Sequence, residues 1–93
     1  MNENNYILIS PTFTPDPREK IVPFRYVLTE NEYHYTIERE NWVDNKWAGT
    51  YLNQPFDKKD LLKAVKGFQS KIKQIIDSWK WCQYDKGSIK YEL

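Results

Sequence analysis

The apolar residues of this chain change their spacing once. In Phe24–Leu28 and Tyr33–Ile37 they recur at every second position, and beyond Asp57 at every third or fourth. The first period marks strands with one covered face, the second an amphipathic helix. Tyr6–Ser10 is a short apolar run that predicts a buried strand. Ile21–Thr29 predicts a second strand, with Phe24, Tyr26 and Leu28 on one face and Arg25, Val27 and Thr29 on the other. Pro23 suits the start or edge of a strand, where no ladder N–H is needed. Tyr33–Trp42 predicts a third. Tyr33, Tyr35 and Ile37 share one face; His34, Thr36, Glu38, Glu40 and Trp42 share the opposite one. Trp47–Leu52 predicts a fourth strand, in which Gly49 permits a bulge or a close approach.

The connections follow from turn chemistry. Prolines 11, 15 and 17 predict an extended loop, a surface connection or a partner contact. Residues 30–32 and 43–46 predict turns. A helix is expected over 57–81. Asp57 is the N-cap candidate, with Asp60 three residues on and Phe56 and Leu61 at staple spacing. Leu61, Val65, Phe68, Ile72, Ile75 or Ile76, and Trp79 form its apolar stripe. Gly67 costs such a helix about 1 kcal/mol relative to Ala, so it marks a candidate close contact. Residues 85–88 predict a turn, and Ile89, Tyr91 and Leu93 a last strand. The expected fold is α+β: an antiparallel meander of four to five strands packed against one long C-terminal helix, in the order β-β-β-β-α-β. Sequential strands usually pair as neighbours, which makes the meander the default.

Composition adds limits. Ninety-three residues make one domain, 1–93, with a small core. No apolar run approaches the about 20 residues of a membrane span, and the N-terminus lacks the pattern of a signal peptide. Cys82 is the only cysteine, so no internal disulfide forms. These features suggest a cytoplasmic protein, or one in a host's cytoplasm if the gene is viral. The net charge of +1 conceals a split. Residues 1–56 hold five Lys/Arg against eight Asp/Glu, and residues 57–93 hold nine against five.

Catalytic chemistry finds few candidates. His34 reads as a surface-facing strand residue and Cys82 as a small buried hydrophobe. Too few His and Cys are present for a zinc site, and no glycine-rich phosphate loop occurs. Glu38, Glu40 and Asp44 cluster in sequence, but a solvated strand face near Arg39 and Lys46 explains them without a metal. We expect no enzyme activity, no cofactor and no metal.

What stands out is aromatic content: four Trp and seven Tyr in 93 residues. Most should fill the core, but some of Tyr26, Trp42, Trp47, Trp81 and Tyr84 should remain exposed. Exposed rings beside Arg and Lys suit base stacking or a protein interface. Arg25-Tyr26-Val27, Ile37-Glu38-Arg39-Glu40-Asn41-Trp42-Val43-Asp44, Ala48-Gly49-Thr50-Tyr51-Leu52 and the following helix resemble the transcriptional positive-cofactor-four family over about residues 25–76. That resemblance implies a dimer that holds single-stranded DNA on its sheet, with Arg25, Arg39, Trp42, Lys46 and Trp47 in the stacking and phosphate-contacting region. The hairpin departs from the family in being acidic where a DNA-facing sheet is basic.

The acidic hairpin suits a protein partner. A compact domain of this kind fits an adaptor, an immunity protein or a phage-type inhibitor of a nucleic-acid-handling system, docking by charge complementarity. The candidate binding residues are Arg25, Glu38, Arg39, Glu40, Trp42, Asp44, Lys46 and Trp47. A homodimer through the 61–79 helix stripe is a further expectation.

Overall fold

The computed structural model describes residues 5–15, 18, 20–78 and 83–84. They form strands β1 (Asn5–Ile9), β2 (Phe13–Thr14), β3 (Phe24–Glu30), β4 (His34–Val43) and β5 (Lys46–Asp57), helix α1 (Leu61–Ser78) and strand β6 (Gln83–Tyr84). All strand pairs are antiparallel. The sheet order is β5-β4-β3-β2-β6, and β1 pairs with β3 on the edge that β2 also uses. The α+β architecture expected from the alternating pattern is therefore present, with the helix on one sheet face. The proposed last strand over Ile89, Tyr91 and Leu93 lies outside the described residues, as does Trp79.

The proline-rich segment departs from expectation. Rather than a surface loop, it contributes β2, and Pro11 and Phe13 are fully buried. Pro11 has no N–H, so a continuous strand fails there. Ser10 replaces the missing ladder. Its N–H donates to the Tyr26 carbonyl at 2.9 Å, and its hydroxyl accepts from the Tyr26 N–H at 2.8 Å. That hydroxyl also donates to the Pro11 carbonyl at 2.8 Å.

The core lies between sheet and helix. Leu8, Phe13, Phe24, Tyr26, Leu28, Tyr35 and Ile37 meet Ala64, Val65, Phe68 and Ile72. Phe13 and Phe24 stack at 5.4 Å, and Phe24 meets Tyr26 edge-on at 6.1 Å. Burial of each large side chain contributes about 1.5–3 kcal/mol before entropy is subtracted. Tyr26 is thus a core residue and not an exposed ring. The helix stripe is largely covered: Ile72 is fully buried, and Ile75 and Ile76 pack on the core's margin.

Helix initiation is shifted by one turn from the expected place. Asp60 is the cap: its carboxylate accepts the Lys63 N–H at 3.1 Å and its carbonyl the Ala64 N–H at 3.2 Å. Asp57 instead ends β5, and its carboxylate accepts the Lys59 N–H at 2.8 Å. Leu61 consequently points out and makes no staple. Phe56, also in β5, packs against Gly67, which is the close contact that glycine allows.

Two irregularities shape β5. Asp44 and Asn45 both have positive φ, 53° and 61°, as a two-residue turn matching the strand twist requires. Farther along, Glu40 pairs with Gly49 but Glu38 pairs with Asn53, so β5 carries two extra residues at a bulge. The Thr50 hydroxyl donates to the Arg39 carbonyl and accepts from the Leu52 N–H, both at 3.1 Å. Tyr51 is almost fully exposed there. Pro55 is accommodated because β5 is an edge strand.

The turn between β3 and β4 is tied to the start of the helix. The Asn31 carboxamide accepts the Tyr33 and His34 N–H groups, each at 2.8 Å. Tyr33 therefore belongs to the turn and is exposed, rather than joining Tyr35 and Ile37 in the core. Lys58 donates to the Asn31 carbonyl at 2.6 Å and pairs with Glu30 at 2.9 Å.

Candidate binding face

The sheet face away from the helix is built by the second parity of each strand. Arg25, Val27 and Thr29 come from β3, and Thr36, Glu38, Glu40 and Trp42 from β4. Trp47 and Gly49 come from β5, across from Trp42 and Glu40. Tyr6, paired with Thr29, joins from β1.

Arg25 and Glu40 are direct cross-strand partners. Both Nε and Nη2 of Arg25 lie 2.8 Å from Glu40 Oε1. Tyr6 donates its hydroxyl to Glu40 Oε2 at 2.6 Å. Each carboxylate oxygen is thereby occupied, which offsets the desolvation of a residue only 7% exposed. The bond to Glu40, then burial and the Glu40 charge, raise the Tyr6 hydroxyl above its ordinary value of 10.0; Arg25 opposes them. To reach Glu40 from the Thr29 row, Tyr6 must pass the Val27 row, and Val27 is fully buried although it points away from the helix.

The Arg25 guanidinium also lies 4.2 Å above the Trp47 ring centroid and 5.6 Å from that of Tyr6. Trp47 meets Trp42 edge-on at 5.2 Å. The result is a contiguous cluster of Tyr6, Arg25, Glu40, Trp47 and Trp42. Its rim is open: Tyr6 is 48% exposed and Trp42 39%. A Cβ built on Gly49 would meet nothing within 4 Å, so there is open space beside Trp47 and Glu40. Glu38 completes the face, with a long contact of 3.4 Å from the Thr29 hydroxyl.

Of the residues nominated from sequence, Arg25, Glu38, Glu40, Trp42 and Trp47 share this face. Arg39 does not. It lies on the helix side, 4.0 Å above the Phe24 ring, with its Nε donating to Asn41 at 3.2 Å. Asp44 and Lys46 sit exposed at the hairpin tip. Glu40, expected on a solvated strand face near Arg39 and Lys46, is instead largely buried and paired with Arg25.

Sequence reasoning missed Tyr6. Strict alternation puts Tyr6 and Leu8 on one face, but the β1–β3 register shifts by one between them. That bulge sends Leu8 to the core and Tyr6 to the opposite face. The only trace in the sequence is the unalternated run Tyr6-Ile7-Leu8-Ile9.

Among the described residues, no three of His, Cys, Asp and Glu come together as a metal would require. No described helix is long and apolar enough to cross a membrane. No protein-family model, curated protein or solved structure matches the chain.

Proposed function

We propose that this is a small binding protein whose outer sheet face, made by Tyr6, Arg25, Glu38, Glu40, Trp42 and Trp47, docks a protein partner that presents basic side chains. The observation that carries this reading is the occupation of Arg25. Its hydrogen bonds to Glu40 and its stack on Trp47 compensate both charges of that pair and leave Glu38 as the acidic group of the face without a cation among the described residues. Half-exposed Trp and Tyr rings around a buried polar pair have the composition of an interface centre, where aromatic residues and Arg are enriched. Glu38, held only by a long contact from the Thr29 hydroxyl, supplies the complementarity that selects a cationic partner. An adaptor, an immunity protein or an inhibitor of nucleic-acid-handling machinery fits that chemistry, because such targets carry basic surfaces.

A second reading is single-stranded nucleic acid. The exposed Trp42 ring beside Trp47 is the observation in its favour, since bases stack on such rings. Charge weighs against it: Arg25 is paired and Arg39 lies on the other sheet face.

Fluorescence anisotropy separates the two. The full chain is titrated into labelled oligo-dT and into labelled Arg- and Lys-rich peptides at low and high salt. The protein-directed reading expects peptide binding that Trp42→Ala and Glu38→Gln each weaken, with no oligo-dT binding. Tight, salt-sensitive oligo-dT binding would reverse the order of the two readings. Light scattering on the same samples tests self-association.

A further inference from the structure

The opposite side of the sheet holds a second feature. A cleft of about 330 Å³ opens between β5 and α1, lined by Tyr26, Ile37, Leu52, Asn53, Gln54 and Lys71. That volume lies within the range of small-molecule sites, about 300–1,000 Å³. Its apolar surface comes from the Tyr26 ring, Ile37 and Leu52, the last belonging to the β5 bulge. Its polar side chains are Gln54, opposite Ile37 on the helix side, and Lys71; Asn53, opposite Glu38, borders the cleft with its backbone.

Lys71 gives the cleft its sign. Its Nζ stands 6.0 Å from the Tyr26 ring centroid. No carboxylate lines the cleft, and no ion pair of Lys71 occurs among the described residues. A half-buried cation above an aromatic wall, without a counter-charge, complements an anion attached to an apolar body. The carboxamide of Gln54 adds N–H donors beside it.

We propose that this cleft binds a small aromatic or aliphatic carboxylate, with the apolar body against Tyr26, Ile37 and Leu52 and the carboxylate on Lys71. The site is independent of the outer face, because Tyr26 and Ile37 belong to the helix-side core.

The test titrates the isotope-labelled full chain with indole-3-acetate, octanoate and tryptamine, following backbone amide shifts. Saturable shifts at Ile37, Leu52, Asn53, Gln54 and Lys71 are expected with either carboxylate. Tryptamine, which exchanges the anion for a cation, should bind at least about tenfold more weakly, and Lys71→Gln should weaken carboxylate binding by a similar factor. Gln54→Trp, an exposed position on the helix side of the sheet opposite Ile37, should occlude the cleft without disturbing the core. The proposal is overturned if neither carboxylate gives saturable shifts at these residues, if tryptamine binds as well as indole-3-acetate, or if Lys71→Gln and Gln54→Trp bind like the parent. Shifts confined to the Trp42 and Trp47 hairpin would overturn it equally.

Discussion

Arg25 places two of its nitrogens 2.8 Å from a single oxygen of Glu40, its cross-strand neighbour. The pair is shielded: the side chains are 15% and 10% exposed. Removing one partner leaves the other charged, desolvated and unpaired. Arg25→Met should therefore destabilise the fold by about 2–4 kcal/mol. Adding Glu40→Gln should restore part of that loss, because the stranded charge disappears. Urea unfolding of the two single variants and the double variant measures the coupling. Additive effects would mean that Arg25 acts through packing on Trp47 alone.

Tyr6 gives the same cluster a pH signature. Its folded-state pKa is raised, chiefly by its bond to Glu40. Below pH 10 the hydroxyl is protonated in both states and its stabilisation is complete. As pH rises from 10 through the raised folded value, the unfolded chain ionises first and that stabilisation is lost. Tyr6→Phe should cost about 1 kcal/mol at neutral pH, held down by the ring's exposure. The gap between parent and variant should close above pH 10. A gap that stays constant through the alkaline range would show that the hydroxyl is not the source.

Gly67 illustrates two opposed effects at one position. A Cβ there would lie 2.8 Å from Phe56 Cζ and 3.5 Å from Ile37 Cδ1. Alanine gains about 1 kcal/mol of helix propensity, while overpacking costs about 1–3 kcal/mol. We expect a net loss for Gly67→Ala, and a net gain when Phe56→Leu shortens the opposing side chain in the same protein. Thermal melts of both would settle the sign; a stabilised single Gly67→Ala would show that the ring yields freely.

The helix cap can be tested by comparing two aspartates. Asp60→Ala should cost about 1 kcal/mol by freeing the Lys63 N–H. Asp57→Ala should cost less, since its carboxylate serves a turn before the helix. Equal losses in chemical denaturation would contradict this order.

Much of the architecture is legible in the sequence. The alternation in Phe24–Leu28 and Tyr33–Ile37, and the helical stripe from Val65 to Ile72, are driven by burial of apolar side chains. Burial leaves its period in the sequence wherever the backbone is regular. That period determined the sheet, the helix and the face on which Arg25, Glu38, Glu40, Trp42 and Trp47 lie. Tertiary structure decided what depends on breaks in the period. The bulge at Ile7 moved Tyr6 onto the outer face, and the two extra residues in β5 placed Gly49 beside Glu40. Ser10 carried the chain past Pro11 into β2. Arg39 turned to Phe24 and left Arg25 as the partner of Glu40. A charged side chain bonds to the group that strand register places within reach. Register is set by pairing between distant segments, so spacing along the chain does not encode it.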